Sequence, residues 1–319
     1  MAFTSLKNLL LVIHNENYDR ADFIDIGNRV AARAPDLGVY VVDNTAKNDD
    51  VPPSVWQWPT LTVALCHDAE FTPRRGAVMS SRPIEKLEQV DVLQKAGIAV
   101  PHCQLFRAGM ELDPSVWGEF VLLKPEPLEH TSHSEAIQLF RRARLAAMRE
   151  NDFPACHFVY AVPMIAQRFI DTGVNPCKYR ALTMCGEVLY VQAAVLAQAR
   201  PSLESPDEVL EQALVATSGS VPCDYRHGDH PEIVALAKRV ARAFPGIPLM
   251  GVDVVRDVND GKLYVLEINA GGNVWHFSSP MWAERRQRLP EIARDMREQY
   301  GAFDVAAKAL TGATRRLAV

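Results

Sequence analysis

The sequence predicts an α/β protein built in two parts, and three observations support this prediction. Near the N-terminus, an apolar run at residues 9–13 precedes a helical pattern and two further apolar runs, which is typical of a small layer of strands and helices. An amphipathic helix then begins near residue 83 and marks a domain boundary. Beyond it, apolar and polar side chains alternate through residues 251–272 on both sides of a turn, which predicts a β-hairpin.

The composition is that of a globular protein with a full core. The chain has 319 residues, of which 48% are hydrophobic and 23% charged, and this length allows two domains. Its formal net charge of −5 and sequence pI near 6.0 argue against a general nucleic-acid binder, because such proteins carry a strongly basic domain or stripe. We therefore expect no nucleic-acid partner.

Cysteine usage and hydropathy indicate a cytoplasmic protein. The six cysteines form no C-x-x-C pair, so neither a zinc module nor a disulfide framework is expected, and the thiols should be reduced. The apolar run at residues 9–13 is too short for the core of a signal peptide, and no run reaches the length of a membrane span. We expect no membrane partner.

The N-terminal part reads as strands at residues 9–13, 39–42 and 61–65, with a helix at residues 21–34 after the first strand. It lacks the G-x-G-x-x-G turn of a dinucleotide-binding site, which excludes that function. Ligands of parallel sheets bind beyond the carboxyl ends of the strands, so Glu16 in the polar loop after the first strand is a candidate substrate contact. Ordinary loop polarity is the alternative explanation for Glu16.

The second part is predicted to be richer in strands. Its expected elements are a helix at 84–97, a strand at 120–124, a helix at 135–149 with Ile137, Phe140 and Met148 inward, strands at 164–170, 179–184 and 188–195, a helix from 207 and a helix at 231–244.

A three-residue turn, Asn259-Asp260-Gly261, sets the register of the predicted hairpin. With this turn, Asp253 lies directly opposite Glu267, with their Cβ atoms roughly 5 Å apart. The same register places Val254 opposite Leu266. A shift by one residue would move Asp253 and Glu267 to opposite faces, so the register decides whether they act together.

Asp253, Glu267 and Asn269 would share one face of this hairpin, and oxygen ligands of this kind suit Mg²⁺. Two carboxylates this close repel each other in an empty site, and a divalent cation that also carries phosphate oxygens relieves the repulsion. The alternative is an exposed hairpin with scattered polar residues.

Several residues upstream of the hairpin complete a family pattern. Lys86, Lys124, residues 167–170, Arg180 and the hairpin follow the order found in the ATP-grasp superfamily of carboxylate–amine ligases, which the chain resembles over residues 84–280. Within this superfamily it resembles enzymes that join amino acids or peptides, such as D-alanine–D-alanine ligase, glutathione synthetase and the ligases that add glutamate to a ribosomal protein.

The resemblance implies a specific domain organisation. Residues 1–83 would form the α/β domain that precedes an ATP-grasp fold, and residues 84–319 the α+β ATP-grasp domain. The latter would contain one subdomain at about 105–165, a second at about 166–280, and C-terminal helices at 281–319.

The resemblance also implies the residues that bind ATP. Lys86 would contact the nucleotide phosphates, and Lys124 the phosphates and the adenine region. A lysine at the end of an apolar strand is itself expected to pair with an anion. The hinge that binds adenine through its backbone, and the residue after it that would bind the ribose hydroxyls, are Gln167, Arg168, Phe169, Ile170 and Asp171.

Lys178 and Arg180 occupy positions where the family has cations aimed at the phosphates or at an acyl-phosphate, and they are the expected catalytic residues. The family's glycine-rich flap is replaced by residues 126–134, which contain no glycine. In that segment, the hydroxyl groups of Thr131 and Ser132 would donate to phosphate oxygens.

The substrate would be held after the hairpin. Gly271 and Gly272 match the family's small-residue turn beside the substrate, and Asn273, Trp275 and His276 would then line the pocket.

The resulting functional hypothesis is an enzyme that uses ATP and Mg²⁺ to activate a small-molecule carboxylate as an acyl-phosphate, which a small-molecule amine then attacks. A homodimer is compatible with the resemblance. Two alternatives share the nucleotide site: a non-catalytic ATP-binding sensor or scaffold, and a small-molecule kinase with a hydroxyl acceptor.

Overall fold

The computed structural model describes residues 7–67, 70–126, 137–216 and 221–319. Its N-terminal layer is a parallel sheet of four strands in the order β2-β1-β3-β4, with helix α1 between the first two strands. The elements are β1 (Lys7–Ile13), α1 (Arg20–Arg33), β2 (Leu37–Asp43), β3 (Thr60–Ala64) and β4 (Ala77–Ser80). The predicted strands and helix of this layer are confirmed, whereas the four-residue β4 gave too short a pattern to be predicted.

A small antiparallel sheet follows, with the strand order β5-β8-β6-β7. The predicted helix before it and the predicted strands at residues 120–124 and 164–170 are confirmed. The elements are α2 (Lys86–Lys95), β5 (Cys103–Leu105), α3 (Pro114–Trp117), β6 (Phe120–Pro125), β7 (Gln138–Arg141), α4 (Arg142–Ala147) and β8 (Met164–Arg168).

The helix predicted at residues 135–149 is wrong in its first half. Residues Gln138–Arg141 form strand β7, which pairs with β6, and of the described residues 137–149 only Arg142–Ala147 are α-helical. Residues 135 and 136 lie outside the described residues. Leu139 and Phe140 are both buried, so both faces of this short strand are covered. Pairing with a neighbouring strand therefore overrides the helical spacing of the apolar side chains.

The largest sheet has five antiparallel strands in the order β11-β10-β9-β12-β13. Its predicted strands and helices are confirmed, but β11 was not predicted. The elements are β9 (Cys177–Met184), β10 (Glu187–Leu196), α5 (Asp207–Glu211), β11 (Cys223–His227), α6 (Pro231–Ala243), β12 (Leu249–Arg256) and β13 (Leu263–Ala270). Apolar side chains of α6 and α2 share a core with one face of this sheet.

The hairpin of β12 and β13 confirms the central prediction of register and corrects its turn. Asp253 lies opposite Glu267 as expected, but the register then shifts, so that Val254 faces Val265 and not Leu266. The connecting loop comprises residues 257–262, because the Asp257 side chain accepts hydrogen bonds from the backbone and the side chain of Asn259 and widens the turn.

Three helices complete the chain: α7 (Ala283–Arg288), α8 (Pro290–Glu298) and α9 (Ala302–Leu317). The boundary expected near residue 83 lies between β4 and α2, yet α9 returns to the N-terminal layer and packs against α1 and β1. Trp275 belongs to this shared core. It is 0% exposed, and its indole N–H donates to Asp22, so the expectation that it lines a substrate pocket is wrong.

Over the described ranges, no helix is both long enough and apolar enough to cross a membrane. The α/β class predicted from the sequence is confirmed.

The close packing of the loop after β13 against the N-terminal layer can be tested by comparing a glycine of this loop with one in open surroundings. Gly271 has φ +68°, and a Cβ atom there would lie 2.5 Å from the Ser81 Cβ and 2.6 Å from the Leu65 carbonyl oxygen. Gly261 has φ +73°, but nothing lies within 4 Å of its Cβ position. We expect Gly261→Ala to cost about 1 kcal/mol from backbone strain alone, and Gly271→Ala about 3 kcal/mol from strain plus steric overlap.

Urea denaturation of both variants measures the difference. Equal losses of unfolding free energy in the two variants would contradict the close contact of this loop with the N-terminal layer.

Candidate functional site

The polar side chains predicted to act together lie along one row across the largest sheet. The register places Arg180 on β9 opposite Asp253 on β12, and Asp253 opposite Glu267 on β13. On the other side of Arg180, Gln192 of β10 is its direct partner. Because side chains at directly opposed positions share a face, the row forms a polar strip on a sheet whose other face is apolar.

Asp253 is the most buried of these residues. It is 0% exposed and accepts hydrogen bonds at both carboxylate oxygens, from Lys178 Nζ at 2.9 Å, from Arg180 Nη2 at 2.8 Å and from Arg180 Nε. Burial by itself would raise the pKa of Asp253, but the charges of Arg180 and Lys178 outweigh it and lower the pKa well below its usual value. Asp253 is therefore an anion at neutral pH.

Arg180 is held in the same way. Burial opposes its positive charge, yet the charge and hydrogen bonds of Asp253 dominate and raise the pKa of Arg180. Its chain crosses Gly251, where a Cβ atom would lie 3.0 Å from the Arg180 Cδ. A glycine at this position leaves room for the guanidinium to reach Asp253.

These contacts change one expectation from the sequence. The carboxylates of the hairpin were expected to repel each other until a cation arrived, whereas in the structure Lys178 and Arg180 already neutralise Asp253. The hairpin sequence could not show this, because both cations come from β9, more than 70 residues away in the chain.

Glu267 and Asn269 are the more accessible members of the expected metal set, and both are half-buried. Among the described residues, the Glu267 carboxylate has no hydrogen-bond partner, and the buried Asn269 Nδ2 has none either. The open lone pairs of the Glu267 carboxylate fit a hard cation with oxygen ligands, whereas the Asn269 Nδ2 is a donor that suits an acceptor such as a phosphate oxygen. His, Cys, Asp and Glu side chains in the described ranges nowhere form a group of three suited to a metal.

Lys86 and Lys124 are both buried and lie close to each other, and Lys86 also lies near Glu267. Lys86 is 4% exposed and Lys124 is 8% exposed, and the Lys86 Nζ donates to the carbonyl oxygen of Glu126 at 2.9 Å. Burial lowers the pKa of Lys86 to about 8, partly offset by Glu267, while Lys124 lowers it further and the nearby Glu126 and Glu85 raise it. Two buried ammonium groups this close favour a polyanion between them.

The predicted adenine hinge follows β8, in contact with the small sheet. The N–H groups of Arg168 and Phe169 donate to the carbonyl oxygens of His102 and Phe120. In the described part of the chain, the N–H of Ile170 has no partner, and the buried Gln167 Oε1 has none either. One donor and one acceptor are thus available within the hinge, and recognition of a base edge requires groups of both kinds.

Asp171, the residue expected to bind the ribose hydroxyls, is already engaged. Its carboxylate accepts two hydrogen bonds from Arg200 Nη2, at 2.9 and 3.1 Å, and one from the Gly173 N–H at 2.9 Å. Any contact with a ribose would use the remaining lone pairs of this carboxylate.

The expected substrate residues gather at the carboxyl ends of β1 and β3. Glu16 and Asn273 are exposed, and Gly272 contacts the His67 ring, where a Cβ atom would lie 2.9 Å away. Tyr18 connects the loop after β1 with the loop after β13, because its hydroxyl donates to the Gly272 carbonyl. Thr131 and Ser132, together with the rest of the predicted flap at residues 127–134, lie outside the described residues.

The structure pairs His276, which was expected to line the substrate pocket, with a buried tyrosine that the sequence analysis did not assign to the site. Tyr190 of β10 hydrogen-bonds His276 Nδ1 at 3.0 Å, and the His276 ring stacks on Trp282 at 3.9 Å. Burial lowers the pKa of His276 well below its usual value, and Arg180 lowers it further, so this imidazole is neutral. The period-2 spacing of Tyr190 and Gln192 on β10 was the available signal.

No protein-family model matches the sequence. No curated protein matches it either. Among solved structures, the chain is similar to the ATP-grasp ligase PsnB bound to precursor peptide PsnA2 and AMPPNP, with 14% identity, a TM-score of 0.51 and coverage of 97% of this chain and 98% of that chain. It is also similar to PsnB bound to a minimal precursor, Mg and ADP, with 15% identity, a TM-score of 0.50 and the same coverage of 97% and 98%. At these identities the similarity shows a shared fold.

Because Asp253 is held in buried ion pairs, removing its charge should destabilise the protein more than removing the charge of Glu267. Asp253→Asn should lower the free energy of unfolding by about 3 kcal/mol, because it leaves two partly buried cations without their counter-charge. Glu267→Gln, the matched control on the facing strand, should cost less than about 1 kcal/mol.

Urea denaturation at pH 7 measures both changes. The stabilisation from Asp253 is complete above its unfolded-state pKa of 3.8 and is lost as the pH falls below it, because the folded pKa is the lower one. An Asp253→Asn variant as stable as the wild type would show that the pairs contribute nothing.

Proposed function

We propose that this chain, which has the ATP-grasp fold, is an ATP-dependent ligase that activates a carboxylate as an acyl-phosphate and joins it to an amine of the amino-acid or peptide class. One observation carries the proposal: Lys86 and Lys124, from separate elements, are both buried and lie close to each other, with Glu267 near Lys86. Burying two ammonium groups is costly unless a polyanion binds there, and the triphosphate of ATP is such an anion.

The nucleotide would bind between the small sheet and the largest sheet. The adenine edge would contact the Gln167 Oε1 and the Ile170 N–H, the two orphaned polar groups of the hinge. The ribose would lie near Asp171. The phosphates would then reach Lys86 and Lys124, where charge-assisted hydrogen bonds to phosphate oxygens stabilise them.

The metal would be held by Asp253, Glu267 and Asn269. Bound there, Mg²⁺ would offset the charge of the β- and γ-phosphates and polarise the transferred phosphoryl group. The chain's own contribution is placement and charge, so no protein nucleophile is required. Arg180 and Lys178 would stabilise the charge that develops on the phosphoryl group and on the acyl-phosphate.

The acceptor substrates would lie against the loop after β13. Gly271 and Gly272 let this loop pack closely against the N-terminal layer, and Asn273 and Glu16 present exposed polar groups beside it. These groups lie at the end of the parallel sheet between β1 and β3. There the strand order reverses, because the chain passes from β1 to β2 on one side and then crosses to β3 on the other, and α/β sheets form ligand crevices at such points. A carboxylate such as Glu16 suits the ammonium group of an amino-acid substrate.

PsnB, the ATP-grasp ligase of similar fold, is described in complex with a precursor peptide. A peptide acceptor is therefore included in the proposed substrate class, beside free amino acids. Two alternatives keep the same nucleotide site. A binding module would be stabilised by nucleotide without turnover, and a kinase would form a stable phosphorylated product without releasing phosphate.

ADP release tests the proposed activity. With ATP, Mg²⁺ and a mixed pool of amino acids, peptides and small carboxylic acids, the wild type should release ADP and phosphate in equal amounts. Glu267→Ala should reduce the rate at least about 100-fold, because it removes a metal ligand and charge compensation from phosphoryl transfer.

Glu187→Ala is the matched control, because Glu187 lies on the same sheet but pairs with Lys238 at the surface. The thermal unfolding midpoint of each variant shows that it is folded. ADP release by Glu267→Ala at the wild-type rate would contradict the assignment of the site.

Proton uptake on nucleotide binding tests the role of Lys86. Its pKa of about 8 in the free protein should rise when phosphate anions bind beside it, because they favour the charged form. Near pH 8.5, binding of Mg-AMPPNP should therefore take up a fraction of a proton, and the affinity should fall as the pH rises above about 8. Titration calorimetry in two buffers with different ionisation enthalpies measures this uptake.

Lys86→Arg keeps the positive charge over this pH range and should bind without proton uptake. The same uptake in that variant would assign the proton to another group and remove Lys86 from the nucleotide site.

A further inference from the structure

The metal position on β12 is filled by protein cations. Arg180 and Lys178 donate three hydrogen bonds to the two oxygens of Asp253, a carboxylate that is 0% exposed. The triad of Lys178, Arg180 and Asp253 carries a net positive charge. In the absence of nucleotide, the negative charge of Asp253 is therefore already compensated, as it would otherwise be by a bound metal ion.

A divalent cation that approached alone would meet repulsion. It would have to share the oxygens of Asp253 with two positive charges at hydrogen-bond distance, in a part of the protein where solvent screens charges poorly. The carboxylate of Glu267 on the facing strand supplies attraction, but Arg180 and Lys86 are also close to Glu267. Metal binding by the nucleotide-free protein is thus disfavoured by its own side chains.

The two cations can leave Asp253 without movement of the sheet. Their side chains are 21% and 19% exposed, for Lys178 and Arg180, whereas the Asp253 side chain is 1% exposed, so the cationic chains extend towards solvent from a buried anion. Both residues lie on β9 next to the carboxylate, so rotation about side-chain bonds is sufficient.

We propose that Asp253 is a positioning residue as well as a metal ligand: it holds Arg180 and Lys178 as long as neither metal nor nucleotide is bound, and it releases them to the anionic groups of the substrates when both enter together. This rests on the proposed function, because the released cations need phosphate or carboxylate oxygens to pair with. The exchange conserves charge pairing, since Asp253 passes from the two protein cations to the metal while they pass to the substrate oxygens.

Variants that lack Lys178 or Arg180 distinguish this competition from a simple supporting role by the direction in which their metal affinity changes. If Lys178 and Arg180 compete with the metal, their removal should strengthen metal binding to the nucleotide-free protein. If they merely support the site, their removal should weaken metal binding or leave it unchanged.

Titration of the full chain with Mn²⁺, followed by electron paramagnetic resonance, measures this directly. Without nucleotide, Lys178→Met and Arg180→Met should each bind Mn²⁺ about tenfold more tightly than the wild type, because each removes a positive charge beside the ligand. Lys238→Met, which removes a lysine on the surface of α6, should leave the affinity unchanged. Lys178→Met keeps one guanidinium on Asp253, so it remains informative if Arg180→Met fails to fold.

A second arm adds ADP. The wild type should then bind Mn²⁺ at least about tenfold more tightly than without ADP, and Asp253→Asn should lose most of this gain. Unchanged or weaker Mn²⁺ binding by both methionine variants would overturn the competition, and an unaltered gain in Asp253→Asn would overturn the role of Asp253 as a ligand. The arm without ADP is readable even if ADP does not bind at all, a result that would contradict the proposed function separately.

Discussion

The buried contact of Asp253 with Arg180 and Lys178 is the interaction on which the site depends. The negative charge of Asp253 on β12 is neutralised from the neighbouring strand β9, which supplies both cations. Breaking such a cluster leaves a buried charge uncompensated, which is why the three residues act as a unit. The same cluster gives the cleft a positive surface that suits a polyanion before any metal is present.

A second constraint ties the largest sheet to the N-terminal layer. Tyr18 reaches the Gly272 carbonyl, and Asp22 accepts from the Trp275 indole and from Arg297, so the loop after β13 is held by the first helix and its preceding turn. The residues proposed to bind the acceptor are therefore positioned by a layer far away in the chain. Binding determinants on loops commonly rely on such a rigid support.

The sequence was sufficient where the determining contacts are local. The alternation in the hairpin predicted that Asp253 faces Glu267, and this pair is observed because the register shift between Asp253 and Val254 offsets the error in the predicted turn. The pairing of Asp253 with Arg180 and Lys178 depends on the alignment of β9 with β12, which no local pattern encodes. The error at β7 has a similar origin, since helical spacing and a short buried strand look alike until the partner strand is known.

The fate of a carboxylate oxygen tests the central claim most directly, that the chain activates a carboxylate with ATP. The pool of carboxylic acids would be labelled with ¹⁸O, incubated with ATP, Mg²⁺ and amines, and the released phosphate analysed by mass spectrometry. An acyl-phosphate route transfers one carboxylate oxygen to phosphate, so labelled phosphate should appear in equal amount to ADP. Unlabelled phosphate, or a stable phosphorylated product in its place, would contradict the account.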